Sequence, residues 1–199
     1  MIKTVVVTIH GQESIGKKMA DLNYQLSQED FMVDCTFINL RYTKLWTIVN
    51  VLPWARSMVA KYVAARLNAI GLQYPGARII VIAHSNGTRA TRIAMDMRLK
   101  SKKNWPKFRI DELLLLGCPI KRNYRWSRHP LTTVYNFVSS NDMVVFFAKF
   151  YGMGSAGRGK GFKHKAENLN QYYVKWGHGG FMDFFYVIVN VVRGIMEKR

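Results

Sequence analysis

"VIAHSNGT", residues 81–88, joins an apolar run to a polar turn. The run begins earlier, as "ARIIVIA" (77–83), and does not alternate between apolar and polar residues. A strand of that kind is buried on both faces, as in a parallel sheet covered by helices. Beyond the turn, Ala90, Ile93, Ala94 and Met97 follow the i, i+3, i+4, i+7 spacing, which predicts a helix over 86–100. Ser85 therefore sits between a buried strand and a helix, flanked by His84 and Asn86, with Gly87 close behind. Two readings of it are open: a helix N-cap, or a nucleophile on a tight strand–helix turn.

Working outward, the same alternation covers the chain. "KTVVVTI" (3–9), "DCTFINL" (34–40), "ELLLLGC" (112–118), "TTVYNFV" (132–138) and "QYYVKW" (171–176) read as further strands. Helices are expected over 13–28, 55–71 and 181–196, with a short one over 143–150. In the second of these Val59, Tyr62, Val63, Leu67 and Ile70 share one side and Gly71 is the expected stop. Residues 41–54 are apolar and aromatic without a clean period, which suits a loop with one turn of helix. The pattern predicts a mostly parallel six-stranded sheet with helices on both faces, as one domain over residues 1–199. In such sheets chemistry collects at the carboxyl ends of the strands.

Composition narrows the class. Hydrophobic residues make up 49% of the 199, enough for a sizeable core, and no segment is repetitive or of low complexity. The net charge is +18. Residues 1–40 carry −2, and the remainder, with 27 basic and 7 acidic residues, carries +20. Such a field favours anionic partners: an acidic membrane or envelope surface, an anionic substrate, or nucleic acid. Two cysteines, Cys35 and Cys118, are too few for a disulfide framework. "MIKTVVVTIHG" lacks a signal cleavage site, so a cytoplasmic setting is the default expectation; an exported chain whose signal was removed would read alike. "FMDFFYVIVNVVRGIM" is interrupted by Asp183, Asn190 and Arg193 and reads as a helix buried against the sheet.

A nucleophilic serine needs a base, and the base needs an acid to orient it. Among acids after Ser85, Asp142 in "SSNDMVV" follows a strand at the carboxyl edge, whereas Asp111 and Glu112 lie at the amino edge and Asp96 lies along a helix; Glu167 is the reserve. His178 in "KWGHGGF" follows the last strand between glycines. His84 is expected to point away from the base position. "IHGQ" (9–12) ends the first strand, where the backbone N–H of Gln12 can join that of Asn86 to hold an oxyanion, leaving His10 a structural role.

Together His10-Gly11, the Ala83–Gly87 turn, Ser140–Val145 and Gly177–Gly180 resemble the motifs of the α/β-hydrolase fold, most closely those of minimal, lidless bacterial lipases. "LGCP" (116–119) resembles the segment that follows the fourth strand in many lipases, which puts Cys118 near the site without a role in it. The resemblance implies a three-layer fold without a cap domain. It also implies a Ser85–His178–Asp142 triad, Gln12 and Asn86 as oxyanion donors, and carboxylester hydrolysis that needs no metal or cofactor. Alternatives with the same residues are an amidase or peptidase, a thioesterase and an acyltransferase. A non-catalytic polyanion-binding module on the same scaffold is the alternative of another class. Trp46, in the apolar segment 42–54, and Arg122, Arg125 and Trp126, in the basic segment "KRNYRWSR" (121–128), are candidate contacts for a lipid or anionic ester. The glycine-rich basic segment 152–165 is a second candidate for such steering.

Overall fold

The computed structural model describes residues 3–10, 13–42, 53–100, 108–148, 153–178, 180 and 185–197. Six strands form one sheet: β1 (Thr4–Ile9), β2 (Cys35–Leu40), β3 (Arg78–His84), β4 (Glu112–Leu116), β5 (Thr133–Ser139) and β6 (Leu169–Val174). Their spatial order is β2-β1-β3-β4-β5-β6 and every pairing is parallel. The helices are α1 (Glu13–Ser27), α2 (Pro53–Gln73), α3 (Asn86–Lys100), α4 (Met143–Ala148) and α5 (Phe185–Met196).

The unbroken apolar strands have their cause in two cores, one on each face. Val5, Val7, Val81, Ala83, Leu113 and Leu115 face a core shared with Val59, Val63 and Leu67 of α2 and Ala90 and Ala94 of α3. Their neighbours Val6, Ile80, Ile82, Leu114 and Leu116 face the other, closed by Met19, Leu22 and Leu26 of α1 and Ile188, Val192 and Ile195 of α5. Successive side chains of a strand point to opposite faces, so a strand covered on both sides is apolar at most positions. The chain order turns at β1, which lies between β2 and β3. The carboxyl ends of β1 and β3 therefore border the crevice where open α/β sheets place their chemistry.

Two expectations on α2 need correction. Gly71 does not stop the helix, which runs on to Gln73; the left-handed residue is Gly76, with φ of 77°. Tyr62 is exposed rather than in the core, and its hydroxyl donates to the Arg41 carbonyl, 3.0 Å away. Most of the segment 41–54, with Trp46, lies outside the described residues, and α2 already begins at Pro53. Among the described residues no helix is long and apolar enough to cross a membrane.

Candidate active site

Ser85 follows β3 directly and has φ of 51°, the only positive value at a non-glycine position among the described residues. A left-handed serine is strained, and the surroundings hold it there. Its N–H donates to the Leu116 carbonyl at the end of β4, 2.8 Å away. Its carbonyl accepts from Thr88 Oγ1 at 2.6 Å. Gly87 explains the close approach of the turn to β1, since a Cβ there would fall 2.5 Å from the Ile9 carbonyl oxygen. Asn86 opens α3, so its N–H is among those a helix leaves without an intrahelical acceptor. Gln12 lies outside the described residues.

Three side chains from three strand ends meet. Ser85 Oγ is 3.0 Å from His178 Nε2. His178 Nδ1 is 2.9 and 2.8 Å from the two oxygens of Asp142. A carboxylate only accepts, so Asp142 keeps a proton on Nδ1 and leaves the Nε2 lone pair facing the serine hydroxyl. Asp142 is buried and also accepts from the Val145 N–H at 2.8 Å, capping α4. Gly117, with φ of 56°, makes room for the pair: a Cβ there would lie 2.9 Å from His178 Cε1 and 3.2 Å from Asp142 Oδ2. Glu167 is exposed, on the turn before β6 and so at the opposite edge of the sheet from Ser85. Asp96 is engaged elsewhere, with Arg92 and Tyr124.

His84 lies closer than expected. Its ring centroid is 4.8 Å from that of His178, and its Nε2 is 3.2 Å from the His178 carbonyl oxygen. That carbonyl can only accept, so His84 donates and ties down the backbone that carries His178. Burial, reinforced by the neighbouring His178, holds the His84 ring well below the ordinary histidine range and therefore neutral. The Ser139 hydroxyl donates to the Trp176 carbonyl, a second tie on the same segment. His10 is buried, accepts from the Tyr42 N–H at 3.3 Å and stacks on its ring.

The basic segments divide into structural and exposed parts. Trp126 is only 1% exposed and packs edge-on against Phe162, so it is a core side chain with no face to offer a ligand. Arg122 Nε donates to the Gly161 carbonyl at 2.7 Å, which fastens one basic segment to the other. The glycine-rich segment is no free loop: Gly157 N–H donates to the Cys118 carbonyl and Ser139 N–H to the Gly157 carbonyl, both at 2.8 Å, across the ends of β4 and β5. Arg158 rests 4.5 Å from the Phe146 ring centroid and donates to the Ser140 carbonyl, bracing the turn that carries Asp142. Arg125 and Arg128 line a cleft with Lys121 and with two residues the sequence reading passed over, Arg89 and Arg92. Their signal was a spacing of four and seven residues beyond Ser85, which continues one helical stripe. Cys118 is fully buried, and burial pushes its thiol up to about 12. Among the described residues no cluster of His, Cys, Asp or Glu could hold a metal ion.

A parallel sheet in this strand order, with a left-handed serine after its third strand and no cap-sized insertion among the described elements, is the α/β-hydrolase fold. No protein-family model matches the chain, and no curated protein matches its sequence. Solved structures do. A protein assigned to the α/β hydrolase superfamily from Xanthomonas campestris pv. campestris aligns with a TM-score of 0.59 at 11% identity, over 96% of this chain and 99% of its own. An acetylxylan esterase aligns with a TM-score of 0.55 at 10% identity, over 98% and 100% respectively. A cold-adapted esterase from an Arctic intertidal metagenomic library aligns with a TM-score of 0.55 at 12% identity, over 96% and 81%. At such identities the likeness is one of fold.

Proposed function

We propose that this chain is a serine hydrolase of carboxylic esters, with Ser85 as nucleophile, His178 as general base and Asp142 as the acid that orients it. The carrying observation is the 3.0 Å approach of Ser85 Oγ to an imidazole nitrogen whose partner nitrogen is held by a buried carboxylate. A strained turn that presents a serine at the sheet's carboxyl edge has no structural need of that base.

On this reading the reaction runs in two halves. His178 Nε2 takes the proton as Ser85 Oγ attacks the ester carbonyl, and Asp142 stabilises the imidazolium that forms. The oxyanion is received by the N–H of Asn86, which opens α3. His178 returns its proton to the leaving alcohol, then activates the water that frees Ser85. Met143, Val144 and Phe147 on α4 are exposed beside Asp142, an apolar rim suited to an acyl chain. Ester hydrolysis is also carried on this fold by two of the neighbours named above.

A series of p-nitrophenyl esters of rising acyl length tests the reading. Turnover that disappears in Ser85→Ala supports it. A panel left uncleaved by the folded parent, or cleaved equally by Ser85→Ala, refutes it.

A further inference from the structure

The cleft beside the elbow holds more positive charge than the ester chemistry uses. It has a volume of ≈ 290 Å³ and is lined by Arg89, Arg92, Lys121, Arg125 and Arg128, with no carboxylate among the lining residues. Arg89 lies three residues, roughly 4.5 Å along the axis, beyond the start of α3 and so close to Ser85. Pro119 and Ile120, also on its wall, follow the Gly117 that borders His178 and Asp142.

Two of its guanidinium nitrogens are unsatisfied. Arg89 Nη1 and Arg92 Nε are buried and have no hydrogen-bond partner. Arg92 is fixed from behind: Nη1 donates to Asp96 Oδ2 at 2.6 Å, and its guanidinium lies 5.2 Å from the Tyr124 ring centroid. Tyr124 is fixed in turn by Asp96 and His129, at 2.6 and 2.7 Å. Burial, with the charges of Arg56 and Arg92, pushes Arg89 down to about 10, so its cation is destabilised where it stands. Buried donors without acceptors cost stability, and native folds keep them few, so two in one cleft call for an acceptor from outside the chain.

We propose that this cleft is a phosphate-binding subsite, and that the ester cleaved at Ser85 carries a phosphate group. Guanidinium forks match the paired oxygens of a phosphate, and a dianion answers several cations at once. The role as substrate subsite rests on the ester-hydrolase reading; the affinity for phosphate does not.

Calorimetric titration of inorganic phosphate and of glycerol phosphate into Ser85→Ala protein at low salt reads binding without turnover. One saturable site is expected, weakened about ten- to a hundredfold by Arg89→Met, as for lost hydrogen bonds from a charged donor. Arg89→Met removes a half-buried charge whose Nη1 has no partner, so its melting temperature should match or exceed the parent's; a lower one would mark Arg89 as structural and count against the subsite. Arg125→Ser, at an exposed position, should weaken binding without disturbing the core. Phosphatidic acid vesicles, whose headgroup is a phosphate monoester, identify the source. Vesicle binding lost in Arg89→Met marks a lipid headgroup, and glycerol phosphate binding without it marks a soluble phosphate ester. No saturable phosphate binding, or equal binding by parent and both variants, overturns the subsite. An active esterase that binds no phosphate ends this proposal alone, whereas phosphate binding without acyl turnover ends the hydrolase reading and leaves the anion site standing.

Discussion

Gly117→Ala places a methyl group against the His178–Asp142 pair. The new Cβ would stand 2.9 Å from His178 Cε1 and 3.0 Å from Nδ1. Carbon atoms rest about 3.5–4.0 Å apart, so the ring must retreat by roughly 0.6–1 Å. It cannot do so while keeping both 3.0 Å to Ser85 and 2.8 Å to Asp142. A misplacement of about 1 Å at a reacting group costs on the order of 100-fold, which is the expected fall in kcat. The variant also forces alanine into a φ of 56°, at about 1–2 kcal/mol. For a chain of this size that lowers the Tm by about 2–8 °C. Gly76→Ala separates the two effects. It has φ of 77° and nothing within 4 Å of the added Cβ, so it should lose similar stability and keep its turnover. The assay is kcat on a soluble p-nitrophenyl ester beside thermal unfolding of both variants. If Gly117→Ala retains kcat within about twofold of the parent, or if both variants lose activity alike, the placement of the histidine against Gly117 does not govern the chemistry and the reasoning fails.

Three other outcomes follow from the same geometry. Asp142→Asn should stay folded and lose about 10³- to 10⁴-fold in kcat, while Glu167→Gln, altered at the far edge of the sheet, should be nearly silent; the reverse result would make Glu167 the acid. In folded protein at mild alkaline pH an alkylating reagent should modify the half-buried Cys35 and spare Cys118, whose thiol burial pushes up to about 12; mass mapping of the adducts decides it. Burial alone would raise the Asp96 carboxyl, but hydrogen bonds from His129 and Tyr124 and the charge of Arg92 outweigh it and hold it at about 2. A depressed carboxyl contributes stability above its unfolded value of 3.8 that is lost as pH falls through 2, here on the order of 2 kcal/mol. Denaturant unfolding of parent and Asp96→Asn should therefore differ by that amount at pH 7 and converge in acid; a gap independent of pH would contradict the assignment.

The sheet was legible because strands buried on both faces are apolar at nearly every position, as "IIVIA" in β3 and "LLLL" in β4 show. The bounds of α3 were legible for a related reason: the polar turn at Ser85 and the apolar stripe from Ala90 to Met97 leave it one place to begin. The meeting of Ser85, Asp142 and His178 was legible through position, since each follows a strand at the same edge. What was lost was set by distant parts of the chain. Trp126 reads as exposed among basic neighbours, whereas Tyr124, His129 and, from the glycine-rich segment, Phe162 pack against its ring. Arg89 and Arg92 did not stand out, because the wall built by residues 119–128 and 153–154 lies far from them in sequence. Gly71 reads as a helix stop because glycine usually is one, yet its φ is not positive and α2 passes through it.

The central claim is that Ser85 is activated by His178. A fluorophosphonate probe reacts covalently with a serine so activated and not with a solvated or capping hydroxyl. Incubation of the folded protein with the probe, followed by peptide mass mapping, should find one adduct, on Ser85, absent from His178→Ala. An adduct on another residue, or none on folded protein, would contradict the account.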